Sequence, residues 1–75
     1  MTGQFTLTGI VENGVEHGCL LLTDEKTGRR VNLRGGDSSI IKDGAAVTVV
    51  GVLRPDAIGF CQQGPIFQVL QAKAR

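Results

Sequence analysis

The sequence predicts an all-β chain folded as a small barrel of five strands, and three observations predict it. Val47-Thr48-Val49-Val50-Gly51-Val52-Leu53 is the most strand-like run in the chain, rich in the β-branched residues that fit a pleated, half-buried surface. Its pattern occurs twice. Thr48-Val49-Val50-Gly51-Val52-Leu53-Arg54 echoes Thr6-Leu7-Thr8-Gly9-Ile10-Val11-Glu12, with one glycine at the same place in each copy. Eleven glycines among 75 residues, with no Trp or Tyr and three Phe, point to tight turns and bent strands around an aliphatic core.

The elements follow in order. Residues 5–12 read as a first strand with Phe5, Leu7, Gly9 and Val11 on one face at period two. Gly9 removes a side chain in mid-strand, the usual mark of a bulge or sharp bend. Asn13-Gly14 is a turn dipeptide, because both residues tolerate positive φ. The second strand is expected over residues 19–24, already beginning near Val15 if the turn is tight; a longer loop to Gly18 is the alternative. Leu20, Leu21 and Leu22 are consecutive, so both faces of this strand are expected to be covered. Residues 24–28 are polar and end in glycine, as a hairpin loop does. Residues 29–34 form the third strand, with Val31 and Leu33 inward and Arg30, Asn32 and Arg34 outward.

Gly35-Gly36-Asp37 breaks the sheet. Asp37 or Ser38 can cap a short helix over residues 38–42, with Ile40 and Ile41 as its apolar plug. Residues 46–54 are the fourth strand, with Val47, Val49, Gly51 and Leu53 on one face. Pro55 ends it, and residues 56–64 form a long loop. Pro65 opens the fifth strand over residues 66–72, since proline is tolerated at a strand's first residue. Residues 72–75 read as a frayed tail.

Three meandering strands, a short helix and two closing strands match the OB-fold, a five-stranded Greek-key barrel, in a single domain over residues 1–75. Closure between the first and fourth strands would remove both sheet edges, and their matched glycines fit that pairing. An SH3-like barrel is the alternative; its usual lack of a plug helix counts against it. The stretches Gly18-Cys19-Leu20-Leu21-Leu22, Leu33-Arg34-Gly35-Gly36-Asp37, Val47-Thr48-Val49-Val50-Gly51 and Cys61-Gln62-Gln63-Gly64 together resemble small bacterial single-domain proteins with OB-like barrels and no assigned function. The resemblance covers most of the chain. It implies a fold and carries no activity, so no functional residues transfer with it.

Composition narrows the function classes. A net charge of +1 is not the basic excess of a strong nucleic-acid binder. No run approaches the roughly 18 apolar residues of a membrane span. The first residues lack the basic and apolar regions of a secretory signal, so the expectation is a cytoplasmic protein if the chain is complete, and a secreted or periplasmic one if a signal segment has been removed.

Nothing in the sequence forms a catalytic signature. The lone histidine has no serine nearby and no base-orienting partner, so the expectation is a protein that is not an enzyme and holds no cofactor. Cys19 and Cys61 are a candidate disulfide, since the segments carrying them approach each other at one end of an OB barrel; two buried thiols are the alternative. His17, Cys19 and Cys61, with Glu16 or Asp56, match no standard zinc spacing, so no metal site is expected. Arg29, Arg30 and Arg34, with Lys26 and Lys42, cluster around the third strand. A single-strand nucleic-acid binder would add aromatic platforms, and the second and third strands contain no aromatic residue.

The leading expectation is therefore a binding module that takes a protein or a small polar ligand at the first-to-second and fourth-to-fifth strand loops. His17, Arg30, Arg34, Phe60, Gln62 and Gln63 are its candidate contact residues. Weak single-stranded nucleic-acid binding along the second and third strands is one alternative, and a structural or homo-oligomerising role is another.

Overall fold

The structure is a computed structural model and describes residues 3–14, 19–54 and 64–75. Five strands make one sheet: β1 Phe5–Asn13, β2 Leu20–Thr23, β3 Arg30–Arg34, β4 Ala46–Arg54 and β5 Ile66–Ala74. Their order is β1-β2-β3-β5-β4, and β4 pairs back onto β1, so the sheet closes into a barrel-like ring. Every pairing is antiparallel except β3 with β5, and that parallel pair is reached by a crossover through β4.

Two glycines make closure sterically feasible. β1 pairs with β4 along Phe5 to Ile10, then with β2 along Val11 to Asn13. The change of partner comes between Ile10 and Val11, one residue past Gly9, where a β-carbon would run into the carbonyl oxygen of Thr23. Gly51 is the counterpart in β4, where a β-carbon would run into the carbonyl oxygen of Gln68. The β4–β5 register slips between Val50 and Gly51, leaving Leu70 as the extra residue of a β-bulge. Strands bent at these two points can wrap a ring that a flat sheet cannot. The twin segments thus lie side by side, as the repeated pattern predicts.

Alternation along the strands fills the ring. Val11, Leu22, Val31, Val47, Val49, Phe67 and Val69 form its buried core, joined by Ile41 from the β3–β4 connection. Each such side chain contributes about 1.5–3 kcal/mol when fully withdrawn from water. A second buried group lies outside this core: Leu21, Asn32 and Ile66 form one row across β2, β3 and β5, with Cys19 just before β2. Leu21 and Leu22 are both buried, so both faces of β2 are covered as the leucine run suggests.

Several expectations need correction. No helix occurs among the described residues, and residues 38–42 hold a single turn in which the Asp37 carbonyl accepts from the backbone N–H of Ile40 (3.0 Å) and Ile41 (2.8 Å). Asp37 does act as the cap: its carboxylate accepts from the backbone N–H and hydroxyl of Ser39 at 2.9 and 2.7 Å. These bonds hold its carboxyl below the usual aspartate value, outweighing a small opposing effect of burial. A five-residue segment between Gly36 and Gly44, both at positive φ, has too few hydrogen bonds to offset helix nucleation. The plug survives without the helix, because Ile41 is still buried.

The C-terminus is not frayed. β5 continues through Ala72, Lys73 and Ala74, paired with Val49, Thr48 and Val47. The Arg75 backbone N–H donates to the Ala46 carbonyl at 2.9 Å, and its guanidinium pairs with Glu25 at 3.0 Å. β2 begins at Leu20, with Asn13 opposite it and the Gly14 N–H donating to the Cys19 carbonyl; the expected start near Val15 falls outside the described residues. Asn32 faces outward as expected yet is buried. Its backbone N–H donates to the Pro65 carbonyl and its side-chain amide to the Gly64 carbonyl at 2.7 Å. No helix among the described residues is long and apolar enough to cross a membrane.

Candidate functional site

The two ends of the ring differ. At one end the turn over residues 37–44 folds across the opening, pinned by Gly44 N–H to the Val11 carbonyl and by Asn13 N–H to the Asp43 carboxylate at 3.0 Å. Ile41 and Ile40 fill the space beneath it. The other end carries a cavity of about 650 Å³. That volume falls in the range of small-molecule sites.

Chain direction explains which residues meet there. β1, β3 and β5 begin at this end and β4 finishes at it, so their first or last inward side chains form the wall: Phe5, Leu7, Val31, Leu53 and Phe67, with Pro65 just before β5. Phe67 is fully buried at the base, while Phe5 is 47% exposed at the lip. The rim is the β2–β3 hairpin, which contributes Asp24, Lys26, Thr27 and Arg29, followed by Arg30.

Asp24 fastens this rim to the barrel. One carboxylate oxygen accepts from the Thr8 backbone N–H at 3.1 Å, and the other from the Thr27 hydroxyl at 2.9 Å. Burial alone would raise its pKa; the Thr8 backbone bond, the Thr27 hydroxyl and the backbone N–H groups of Thr27 and Lys26 together lower it below the ordinary aspartate value. The Glu25 N–H adds a bond to the Thr8 carbonyl at 2.9 Å. Gly28, at φ 76°, closes the turn with its N–H on the Asp24 carbonyl.

Of the candidate contact residues, Arg30 lines the cavity, whereas Arg34 stands at the far end of β3 and is absent from the lining. His17, Phe60, Gln62 and Gln63 lie outside the described residues, as do Cys61, Glu16 and Asp56. The basic cluster divides: Lys26, Arg29 and Arg30 gather at the cavity, and Lys42 sits on the plugging turn. Along the outward face of β3, the buried Asn32 separates Arg30 from Arg34, so the two arginines do not form a continuous basic strip.

Sequence patterns alone did not identify Phe5, Leu7, Leu53, Phe67 and Asp24 as parts of one site. The usable signal is that each apolar member is the first, second or last inward residue of its strand. Cys19 is 2% exposed, and no free cysteine occurs among the described residues. Among those residues, no group of three His, Cys, Asp or Glu gathers as metal ligands would. In comparisons with known proteins, no family model matches the chain and no curated protein matches it.

Proposed function

We propose that this protein is a non-enzymatic binding module of the OB-fold type whose ligand enters the open end of the ring. The strand order, with one parallel pair between β3 and β5, supports the fold name. The resemblance to small bacterial OB-like proteins rests on the sequence stretches quoted above. The ligand reading is carried by one observation: one end of the ring is plugged by Ile41, and the other opens into a cavity of about 650 Å³ walled by Phe5, Leu7, Val31, Leu53 and Phe67. Such a space takes the apolar body of a small molecule. This shifts the emphasis from the β1–β2 loop to the β2–β3 hairpin as the rim of the site. We also infer that Cys19 is bridged to Cys61, an inference supported by the burial of Cys19 and by the absence of a free cysteine among the described residues.

The test is a nuclear magnetic resonance titration with octanol, a neutral amphiphile. Burying its methylenes at about 0.8 kcal/mol each supports binding in the millimolar range or tighter. Side-chain resonances of Leu7, Val31, Leu53 and Phe67 are expected to shift saturably. Those of Ile10 and Leu70, exposed apolar residues absent from the cavity lining, should stay still. No saturable shift in the first set, or equal shifts in both, overturns the reading.

A further inference from the structure

We propose that the open end selects anionic amphiphiles, holding a single alkyl chain against the apolar wall and an anionic head group at Lys26, Arg29 and Arg30. The inference rests on the binding-module reading above and adds the ligand's chemical class.

Charge on the rim is the first observation. Among the described residues three cations stand there against one carboxylate, in a chain whose net charge is only +1. The local excess therefore exceeds what the composition as a whole would place there. That single carboxylate is already engaged, since both oxygens of Asp24 accept hydrogen bonds from Thr8 and Thr27. Glu25, the adjacent acid, is spent on Arg75 at 3.0 Å. Among the described residues this is the one ion pair, so Lys26, Arg29 and Arg30 have no carboxylate partner there. The cations are thus left available to an anion arriving from solution.

The wall is the second observation. Phe5, Leu7, Val31, Leu53, Pro65 and Phe67 offer almost no hydrogen-bonding groups to an occupant. A sugar or an extended peptide entering there would lose hydrogen bonds to water without replacement, at a cost of about 1–3 kcal/mol for each group. An alkyl chain has none to lose. Apolar depth with a cationic lip thus matches a molecule with a hydrocarbon body and one negative head, and Arg30 offers a planar fork of donors for it.

The experiment compares octanoate, octanol and octylamine, each below its aggregation concentration, by the same titration. Octanoate is expected to bind about fivefold tighter than octanol, the size of a partly exposed charge pair, and octylamine more weakly than either. The octanoate advantage should shrink as salt is raised. It should fall in Arg30→Gln and, independently, in Lys26→Gln, each advantage being taken relative to the same variant's own octanol affinity. If octanol binds and octanoate binds no better, the ligand class is wrong and the binding site stands. If none of the three binds, both readings fail. An octanoate advantage that persists in both variants overturns the role of the rim.

Discussion

Asp24 shows how much one side chain settles. It is 3% exposed, yet it remains favoured as a carboxylate because four hydrogen-bonding groups outweigh the effect of burial. Its folded pKa lies below the unfolded value, so ionised Asp24 contributes stability above the unfolded pKa. That contribution is lost as pH falls through the folded value. Asp24→Asn is expected to cost about 1–3 kcal/mol at neutral pH, because Thr8 and Thr27 lose a charged acceptor in a buried setting. The gap between wild type and variant should then narrow as pH falls below the unfolded-state value of about 4 and on through the lower folded one. Parallel denaturation midpoints across that range would reject the argument. Gly9 and Gly51 decide a sign in the same way. In mid-strand, alanine ordinarily gains about 0.5–1 kcal/mol over glycine. Here a β-carbon meets the Thr23 or the Gln68 carbonyl oxygen, so Gly9→Ala and Gly51→Ala should each destabilise, by about 1–3 kcal/mol, in urea unfolding.

At the scale of elements, β4 is the clearest case of a strand legible in the chain. Val47, Val49 and Gly51 alternate with polar or half-buried residues, and Pro55 marks its end, so its bounds match those read from the sequence. The end of β5 was not legible. Ala72-Lys73-Ala74-Arg75 has no apolar signature, and its order comes from pairing with the first half of β4. Asn32 obeys the alternation rule and still breaks the expectation. Period two fixes which way a side chain points, and says nothing about what lies over that face. The cavity was hidden for a related reason. Its wall draws on strand ends as far apart in sequence as Phe5 and Phe67, and only the ring brings them together. The tail offers a direct test. Removing Ala74 and Arg75 should destabilise by about 1–2 kcal/mol, through lost pairing with Val47 and Ala46. Arg75→Gln should cost under about 1 kcal/mol, since the Glu25 pair is exposed on both sides. If both changes cost the same, the salt bridge rather than the ladder holds the terminus.

For the molecule as a whole, closure and size set the stability problem. A ring leaves no sheet edge to be paired by another chain. It also demands contacts between segments distant in sequence, so much chain entropy is lost before closure returns any free energy. A domain of 75 residues has a total margin of about 4–11 kcal/mol at the usual figure per residue. A bridge between Cys19 and Cys61 would close a loop of about forty residues and supply roughly 4 kcal/mol on the chain-entropy model. That is a large share of the margin. Asn32 gives the bridge a structural rationale. It fixes the Gly64 and Pro65 carbonyls against β3, and Leu21, which follows Cys19 by two residues, lies in the same buried row. Gly64, which follows Cys61 by three residues in the chain, is thereby held to β3. Reduction should lower the urea midpoint and raise the slope of the transition, because the uncrosslinked unfolded chain expands further. Cys61→Ser without reductant should behave like reduced wild type. Cys19→Ala should fall lower still, since it also removes a buried side chain. Alkylation of protein purified without reductant decides the premise: two modified thiols would mean no bridge, and the stability would then rest on the ring's packing alone.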